Sequence, residues 1–182
     1  MIRKINLPIF KKAKSMEKLY APWRTQYVSS HKDKIEGCVF CHIVSNPKND
    51  EEFKVLYRSK EFFIDMNKYP YSPGHFMIIP NFHTDKLEDL DSKVWIKMTA
   101  MAQKGVSLLK DVLNAQGVNI GMNLGQISGA GIAEHIHLHL VPRWMGDTNF
   151  ITTLADTRVY SSDFDKIYQR LLKESPKYFN DN

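Results

Sequence analysis

The pattern of hydrophobic and polar positions predicts an architecture that mixes helices and strands. Short runs rich in aromatic and β-branched residues are typical of strands. Such runs occur at residues 53–57, 61–66, 75–80, 118–123 and 134–142. Because the segment 67–74 contains two prolines and a glycine, it cannot continue a strand ladder and is predicted to be a loop.

A helical period replaces the strand pattern in two places. Apolar residues three and four apart predict a long helix that begins at Asp91 or Ser92, runs to about Gln116 and is ended by Gly117. A shorter helix is predicted to begin after Ser162. Since the strands follow one another as a hairpin and a meander, the fold class is predicted to be α+β. It combines a mostly antiparallel five-stranded sheet with one long and one shorter helix.

The composition is that of a globular protein. Of the 182 residues, 43% are hydrophobic and 25% are charged, which excludes general disorder and a fibrous repeat. No apolar run approaches the ~20 residues that a membrane span requires, so no membrane association is expected. Both cysteines lie in Cys38-x-x-Cys41, where a disulfide would close a very small loop. A reducing, cytoplasmic location is therefore expected.

The net charge of +5 is concentrated at the N-terminus. Residues 1–18 hold six lysines and arginines against a single glutamate, so the rest of the chain is neutral overall. A basic segment of this kind could bind nucleic acid or another anionic surface. A solvated extension is the simpler interpretation, because lysine side chains are readily exposed. Nucleic acid is therefore not expected as a partner.

The segment His135-Ile-His-Leu-His-Leu-Val141 carries the most informative pattern in the chain. On a strand its three histidines share one face, about 6.5–7 Å apart, while the aliphatic residues between them point into the core. Such a face suits a metal ion or a phosphate group, and the spacing alone does not separate the two. Upstream, Asn123 and the glycine-rich loop 125–131 offer donors that favour an anion.

The pair Cys38-x-x-Cys41 provides half of a tetrahedral zinc site. A redox-active pair and two unligated thiols are the alternative interpretations. A zinc site would need two further ligands. The sequence offers five histidines for them, namely His31, His42, His75, His83 and His135.

Taken together, these motifs resemble the histidine-triad (HIT) family of nucleotide hydrolases and transferases. The resemblance covers roughly residues 36–150. Its matching segments are Cys38–Cys41, Asn67 with Pro73-Gly74-His75, Phe82-His83, Asn123-Leu-Gly125 and the run from His135 to Trp144. The stretch 133–150, with Ala21-Pro-Trp-Arg24 before the domain, is similar to the bacterial branch related to diadenosine tetraphosphate (Ap4A) phosphorylases.

The resemblance implies a catalytic domain at 36–150, between a basic N-terminal extension (1–35) and a C-terminal helical extension (151–182) that packs on it. A homodimer or a higher homo-oligomer is expected. The implied function is attack by a histidine on the α-phosphate of a dinucleoside polyphosphate, with phosphorolysis or hydrolysis of an Ap4A-like substrate through a nucleotidyl-histidine. The alternatives are a nucleoside phosphoramidase and a non-catalytic nucleotide-binding or scaffold module.

The resemblance also implies roles for individual residues. His137 is the expected nucleophile, because a neutral imidazole with a fixed tautomer is a good nucleophile near neutral pH. His139 and Asn123 are expected to donate hydrogen bonds to the phosphoryl oxygens, and His75 is expected to support the triad. Asn67 matches the position that binds the ribose hydroxyls.

Further substrate contacts are expected at the edge of this site. Gly125, Ser128 and Gly131 belong to the glycine-rich loop, and Glu134 lies at the rim, where it could guide the phosphate acceptor. Gly131 stands where the phosphorylase branch is expected to have a small hydroxyl residue. Both water and phosphate therefore stay open as the acceptor.

The zinc-carrying members of the family complete their site with two histidines. Carried over, the ligands are Cys38, Cys41, His83 and His135. Such a site has no open coordination position, which implies a structural zinc and no organic cofactor. It also removes His135 from direct phosphate chemistry.

Overall fold

One antiparallel sheet of five strands organises the structure, a computed structural model that describes residues 35–148, 154 and 162–180. Every neighbouring pair is antiparallel, in the order β1-β2-β3-β5-β4. The strands are β1 (Val55–Arg58), β2 (Phe62–Met66), β3 (Phe76–Pro80), β4 (Gly117–Gly121) and β5 (Leu138–Arg143). The predicted fold class is therefore confirmed, while the basic segment 1–18 lies outside the described residues.

The described helices are two short ones and two longer ones. They are α1 (Val39–Ser45), α2 (Asp50–Phe53), α3 (Ser92–Leu113) and α4 (Phe164–Glu174). The first two were not predicted, because they are too short to show a helical period. In the described part of the chain no helix combines the length and the apolar character that crossing a bilayer demands.

The long helix α3 begins as predicted and ends earlier. The Asp91 carboxylate accepts the Lys93 N–H at 2.7 Å, which caps the first turn. The helix stops at Leu113 because Asn114 adopts a left-handed conformation, with φ of 54°. Gly117 begins β4 instead of ending the helix, so that prediction was wrong. Asp163, one residue after the predicted Ser162, caps α4 through the Lys166 N–H.

One face of the sheet is covered by α3 and α4 and forms the main core. Its strands contribute Ile64, Ile78, Leu138 and Leu140, and its helices contribute Met98, Leu108, Leu109, Ile167 and Leu171. The helix α3 approaches the sheet closely at Gly105, where a Cβ atom would lie 2.9 Å from both Leu140 and Phe76. Substitution there would force these core side chains apart.

The opposite face carries a smaller apolar cluster under α1. Phe40 and Ile43 of this helix pack against Val55, Phe63, Met77 and Ile79 from the first three strands. The Arg58 side chain ties the helix to the sheet, since it bonds both the Ile43 carbonyl and the Asp50 carboxylate. The histidines lie on this second face.

Candidate active site

The three histidines of the motif are brought together at the start of β5. The strand begins at Leu138, so the predicted range 134–142 was too long at its N-terminal end, and His135 and His137 precede the ladder. Their chain is held by the Ile136 N–H, which donates to the Thr84 carbonyl at 2.8 Å. All three histidines are at least nine-tenths buried, and Ile136, Leu138 and Leu140 point into the main core as predicted.

The ring of His137 has one nitrogen engaged and one available. Its Nδ1–H donates to the His135 carbonyl at 2.9 Å, which fixes the proton on Nδ1 and leaves the lone pair on Nε2. Burial lowers the pKa of His137, so the ring is neutral at pH 7. Phe40 packs against the ring, with centroids 5.3 Å apart. A neutral, oriented imidazole in a low-dielectric setting is suited to nucleophilic attack.

A chain of hydrogen bonds fixes the tautomer of His139. The backbone N–H of Tyr71 donates to His75 Nδ1 at 3.1 Å, which places the His75 proton on Nε2. That Nε2–H donates to His139 Nδ1 at 2.9 Å, so His139 carries its own proton on Nε2. This last N–H is buried and has no partner in the described structure, while the rings of His137 and His139 lie 4.7 Å apart.

The two histidines joined by this hydrogen bond, His75 and His139, stay neutral over the physiological pH range. Burial, with the neighbouring His139 and His137 as smaller contributions, lowers the pKa of His75 to about 3. Burial and the neighbouring His137 lower the pKa of His139 to about 4. His139 therefore presents a neutral N–H donor beside the expected nucleophile.

Tyr71 is a part of the site that the sequence analysis missed. Its ring lies over His75 and His139, with centroid distances of 4.7 and 5.6 Å. Since its backbone N–H also sets the tautomer of His75, Tyr71 acts on the triad in two ways. Its position in the proline-rich loop, four residues before His75, was the only signal in the sequence.

Asn67 lies beside the supporting histidine. Its Oδ1 accepts the Tyr69 N–H at 2.8 Å, and its amide nitrogen lies 3.5 Å from His75 Nε2. The Asn67 N–H continues the β2–β3 ladder by donating to the His75 carbonyl. Its NH2 group is therefore the part of the side chain left to bind a hydroxyl.

Asn123 and the glycine-rich loop follow the edge strand next to the triad. Gly121 pairs with His139 in the register of β4 and β5, and Asn123 comes two residues later. Gly125 and Gly129 have φ values of 80° and 94°, which suit glycine, and an added Cβ at Gly131 would meet nothing within 4 Å. The exposed Ser128 hydroxyl donates within the loop to the Leu124 and Gly125 carbonyls, so it stabilises the loop.

Cys38, Cys41, His83 and His135 converge on one point. One ligand atom from each lies within 4.8 Å of all the others. Cys38 Sγ is 3.3 Å from His135 Nδ1, Cys41 Sγ is 3.2 Å from His83 Nδ1, and the two Nδ1 atoms are 3.3 Å apart. A tetrahedral site with Zn–S of about 2.3 Å and Zn–N of about 2.0 Å separates its ligand atoms by roughly 3.3–3.8 Å. The four residues thus fit a zinc ion.

The hydrogen bond made by the second ring nitrogen of His135 also suits metal binding at the first. Its Nε2–H donates to the Pro80 carbonyl at 2.9 Å, which leaves Nδ1 as the ligating nitrogen. A redox-active thiol would have a lowered pKa. Here burial and the neighbouring Cys38 raise the pKa of Cys41, which argues against the redox pair. His42 contacts the Phe53 ring, and His31 lies outside the described residues.

Glu134 is exposed and lies near this cluster. It lines a shallow groove with Phe82, His83, Asp85 and Asp89. Because three of these side chains are acidic, the groove does not favour an anionic acceptor. The predicted guiding role of Glu134 gains no support from this geometry.

The comparisons with known proteins agree with this arrangement. The family described as the HIT domain matches residues 48–145, and the chain therefore belongs to the HIT family. It is similar to a solved Zn-bound histidine triad family protein from Mycobacterium smegmatis, with a TM-score of 0.64 and 30% identity. That match covers 78% of this chain and 94% of the other.

Two of the named relatives are enzymes. The chain is 42% identical over 111 residues to the AP-4-A phosphorylase of Mycobacterium tuberculosis, a match that covers 61% of this chain and 57% of that protein. It is 30% identical over 94 residues to an asymmetrical bis(5'-nucleosyl)-tetraphosphatase of Schizosaccharomyces pombe, with coverages of 52% and 51%. The chain thus spans little more than half the length of these two relatives.

Proposed function

We propose that this protein is a nucleotidyl hydrolase or transferase in which His137 attacks the α-phosphate of a dinucleoside polyphosphate such as Ap4A. The hydrogen bond from His137 Nδ1–H to the His135 carbonyl carries the proposal, since it leaves Nε2 as a free nucleophile. The relatives named as phosphorylase and tetraphosphatase support the class of substrate.

In the first step, a bond forms between His137 Nε2 and the α-phosphorus, and the bond from that phosphorus to the bridging oxygen breaks. The unpartnered Nε2–H of His139 donates to the leaving oxygen, whose negative charge grows in the transition state. With Ap4A the leaving group is ATP, and AMP stays on His137 as a nucleotidyl-histidine. In the second step water or inorganic phosphate attacks the same phosphorus and releases His137.

Substrate binding is assigned to residues around this pair. Asn67 binds the ribose hydroxyls through its amide NH2, and Asn123 donates to the phosphoryl oxygens. The backbone N–H groups near Gly125 and Gly131 add donors, because no side chain blocks a phosphate from approaching them. Ser128 contributes indirectly, by fixing the loop conformation.

The zinc cluster is assigned a structural role. When bound, a zinc ion held by Cys38, Cys41, His83 and His135 would cross-link the start of α1 to the loop after β3 and to the segment before β5. Cys38 and Cys41 hold His135 in place, and the carbonyl of His135 orients His137. The cluster therefore acts on the chemistry only by positioning the nucleophile.

Product analysis tests the function. In a single-turnover incubation with Ap4A and phosphate, ADP plus ATP would identify a phosphorylase. Without phosphate, AMP plus ATP would identify a hydrolase. Turnover of an adenosine phosphoramidate but not of Ap4A would favour the phosphoramidase. No turnover of either substrate, with nucleotide still bound, would replace the proposal with a binding module.

We also propose a homodimer formed through the edge of the sheet at β4. This strand is an outer one, and its Ile120 is 49% exposed. Beside it, Trp95, Thr99 and Gln103 of α3 line an apolar groove with Ile120 and Met122. A second copy would pair with the edge of β4 that has no neighbouring strand among the described residues, and it would bury this groove. Light scattering should give twice the mass of the chain, and Ile120→Glu should give a monomer that retains its zinc.

A further inference from the structure

Asp65 is a buried carboxyl group that the proposed chemistry does not use. It lies on β2, is 4% exposed, and its Oδ1 is buried without a hydrogen-bond partner in the described structure. Asp65 lies on the same face of the sheet as the histidines. Its neighbours on that face are hydrophobic, namely Phe63 on the same strand and its cross-strand partners Val55 and Met77. The Asp65 backbone N–H bonds the carboxyl group, but Oδ1 is left without a partner. A buried polar atom without a partner is costly, so its presence requires a reason.

No ion pair among the described residues supplies that reason. The positive charge of Arg58 acts on Asp65 and lowers its pKa. Its Nε and Nη2 groups, however, are engaged by Asp50 and by the Ile43 carbonyl. Burial raises the pKa of Asp65 well above its usual value despite the charge on Arg58, which favours the protonated, neutral form of the carboxyl group.

The strand register places Asp65 in line with the triad. Asp65 pairs with Met77 on β3, and Met77 pairs with His139 on β5. Two strand spacings separate Asp65 from His139, which is about 10 Å. Asn67, two residues after Asp65, faces the same side and lies beside His75. His139, Asn67 and Asp65 thus line one face over a span comparable to that of a nucleoside 5'-phosphate.

We propose that the carboxyl group of Asp65 recognises the base of the bound nucleotide by hydrogen-bonding its amino-bearing edge. This inference rests on the proposed function, since it places the phosphate at His137 and the ribose at Asn67. A neutral carboxylic acid offers one donor and one acceptor side by side. Adenine offers the complementary pair, an amino N–H next to a ring nitrogen. Met77, between Asp65 and His139, is unbranched and can change rotamer to admit the base.

The stability of the protein provides a second signature of this role. The folded chain keeps the Asp65 proton above pH 3.8, where the unfolded chain releases it. Folding therefore becomes less favourable as the pH rises from 3.8 towards the raised pKa, and at pH 7 the carboxyl group destabilises the fold. Asp65→Leu should accordingly unfold at a higher temperature than the wild type at pH 7. If Asp65 stabilised the fold instead, Asp65→Leu would unfold at a lower temperature than the wild type.

Calorimetric titration with two matched nucleotides tests the inference. AMP and purine riboside 5'-monophosphate differ only in the amino group of the base. We expect the wild type to bind AMP at least about tenfold more tightly, which corresponds to about 1.4 kcal/mol, because the purine analogue leaves a buried polar group without a partner. Asp65→Leu should bind the two equally. Asp65→Asn should keep the preference, because a neutral amide also offers a donor and an acceptor.

The controls separate this inference from the function on which it rests. Asp165→Leu, at an exposed position of α4, should keep the wild-type preference. If the wild type binds both nucleotides equally, or if Asp65→Leu still prefers AMP, the role of Asp65 is wrong while the proposed function stands. If Asp65→Leu does not fold, loss of the AMP preference in Asp65→Asn would likewise overturn it. If the wild type binds neither nucleotide, the proposed function fails as well.

Discussion

His137→Ala is expected to abolish turnover of Ap4A, with kcat lower by at least about 10⁴-fold, since the nucleophile itself is removed. The effect should fall on kcat more than on KM. Asn67, Asn123 and the glycine-rich loop are untouched by the substitution and continue to bind the nucleotide. Steady-state rates with Ap4A, measured beside the affinity for AMP, check both parts of this expectation.

A second histidine substitution controls for general effects. His42→Ala removes a ring that contacts Phe53 and lies outside the triad. It should keep kcat within a small factor of the wild type. If His137→Ala retained substantial activity while remaining folded, another group would have to be the nucleophile and the proposed mechanism would be wrong.

Removing one thiolate ligand is expected to release the metal and weaken the fold. Cys41→Ser should purify with little zinc, because serine does not replace a thiolate in a Cys2His2 site. Structural zinc contributes on the order of 10 kcal/mol of binding free energy in zinc-finger peptides. At roughly 2–4 °C for each kcal/mol in a chain of this size, we expect the unfolding midpoint to fall by more than about 10 °C.

Metal content and thermal unfolding measure this effect without depending on activity. A strong chelator should shift the wild type towards the midpoint of Cys41→Ser and leave the variant unchanged. His42→Ala, next to Cys41 in the sequence, should retain one zinc per chain. A wild type that holds no zinc and ignores the chelator would show that the four residues are a simple hydrogen-bonded cluster.

Much of the fold follows from the sequence because its signals are local. The hairpin of β1 and β2, the loop rich in proline and the long helix all show their period or their turn residues within a few positions. The boundaries were less predictable. The end of α3 depends on the left-handed conformation of Asn114, which the sequence does not specify. Glycine is the stronger sequence signal for a helix end, so Gly117 was predicted instead.

Site residues were predicted where they recur at a regular spacing in the sequence. They were missed where only tertiary packing brings them to the site. Alternation placed the three histidines on one face even though His135 and His137 precede the strand. The family resemblance predicted His83 and His135 as zinc ligands, and the structure brings both to the two thiols. Tyr71 had only its position in the loop as a signal and Asp65 had none, because their roles depend on tertiary packing and on which strands lie side by side.

The most direct test of the mechanism is to trap the covalent intermediate. Wild-type protein should be mixed with Ap4A for less than one turnover, quenched in alkaline denaturant to preserve the P–N bond, and analysed by mass spectrometry. We predict an added AMP group on the peptide that contains His137, and none in His137→Ala. Product formation without any adduct, or an adduct on another residue such as His139, would contradict the proposal that His137 is the nucleophile.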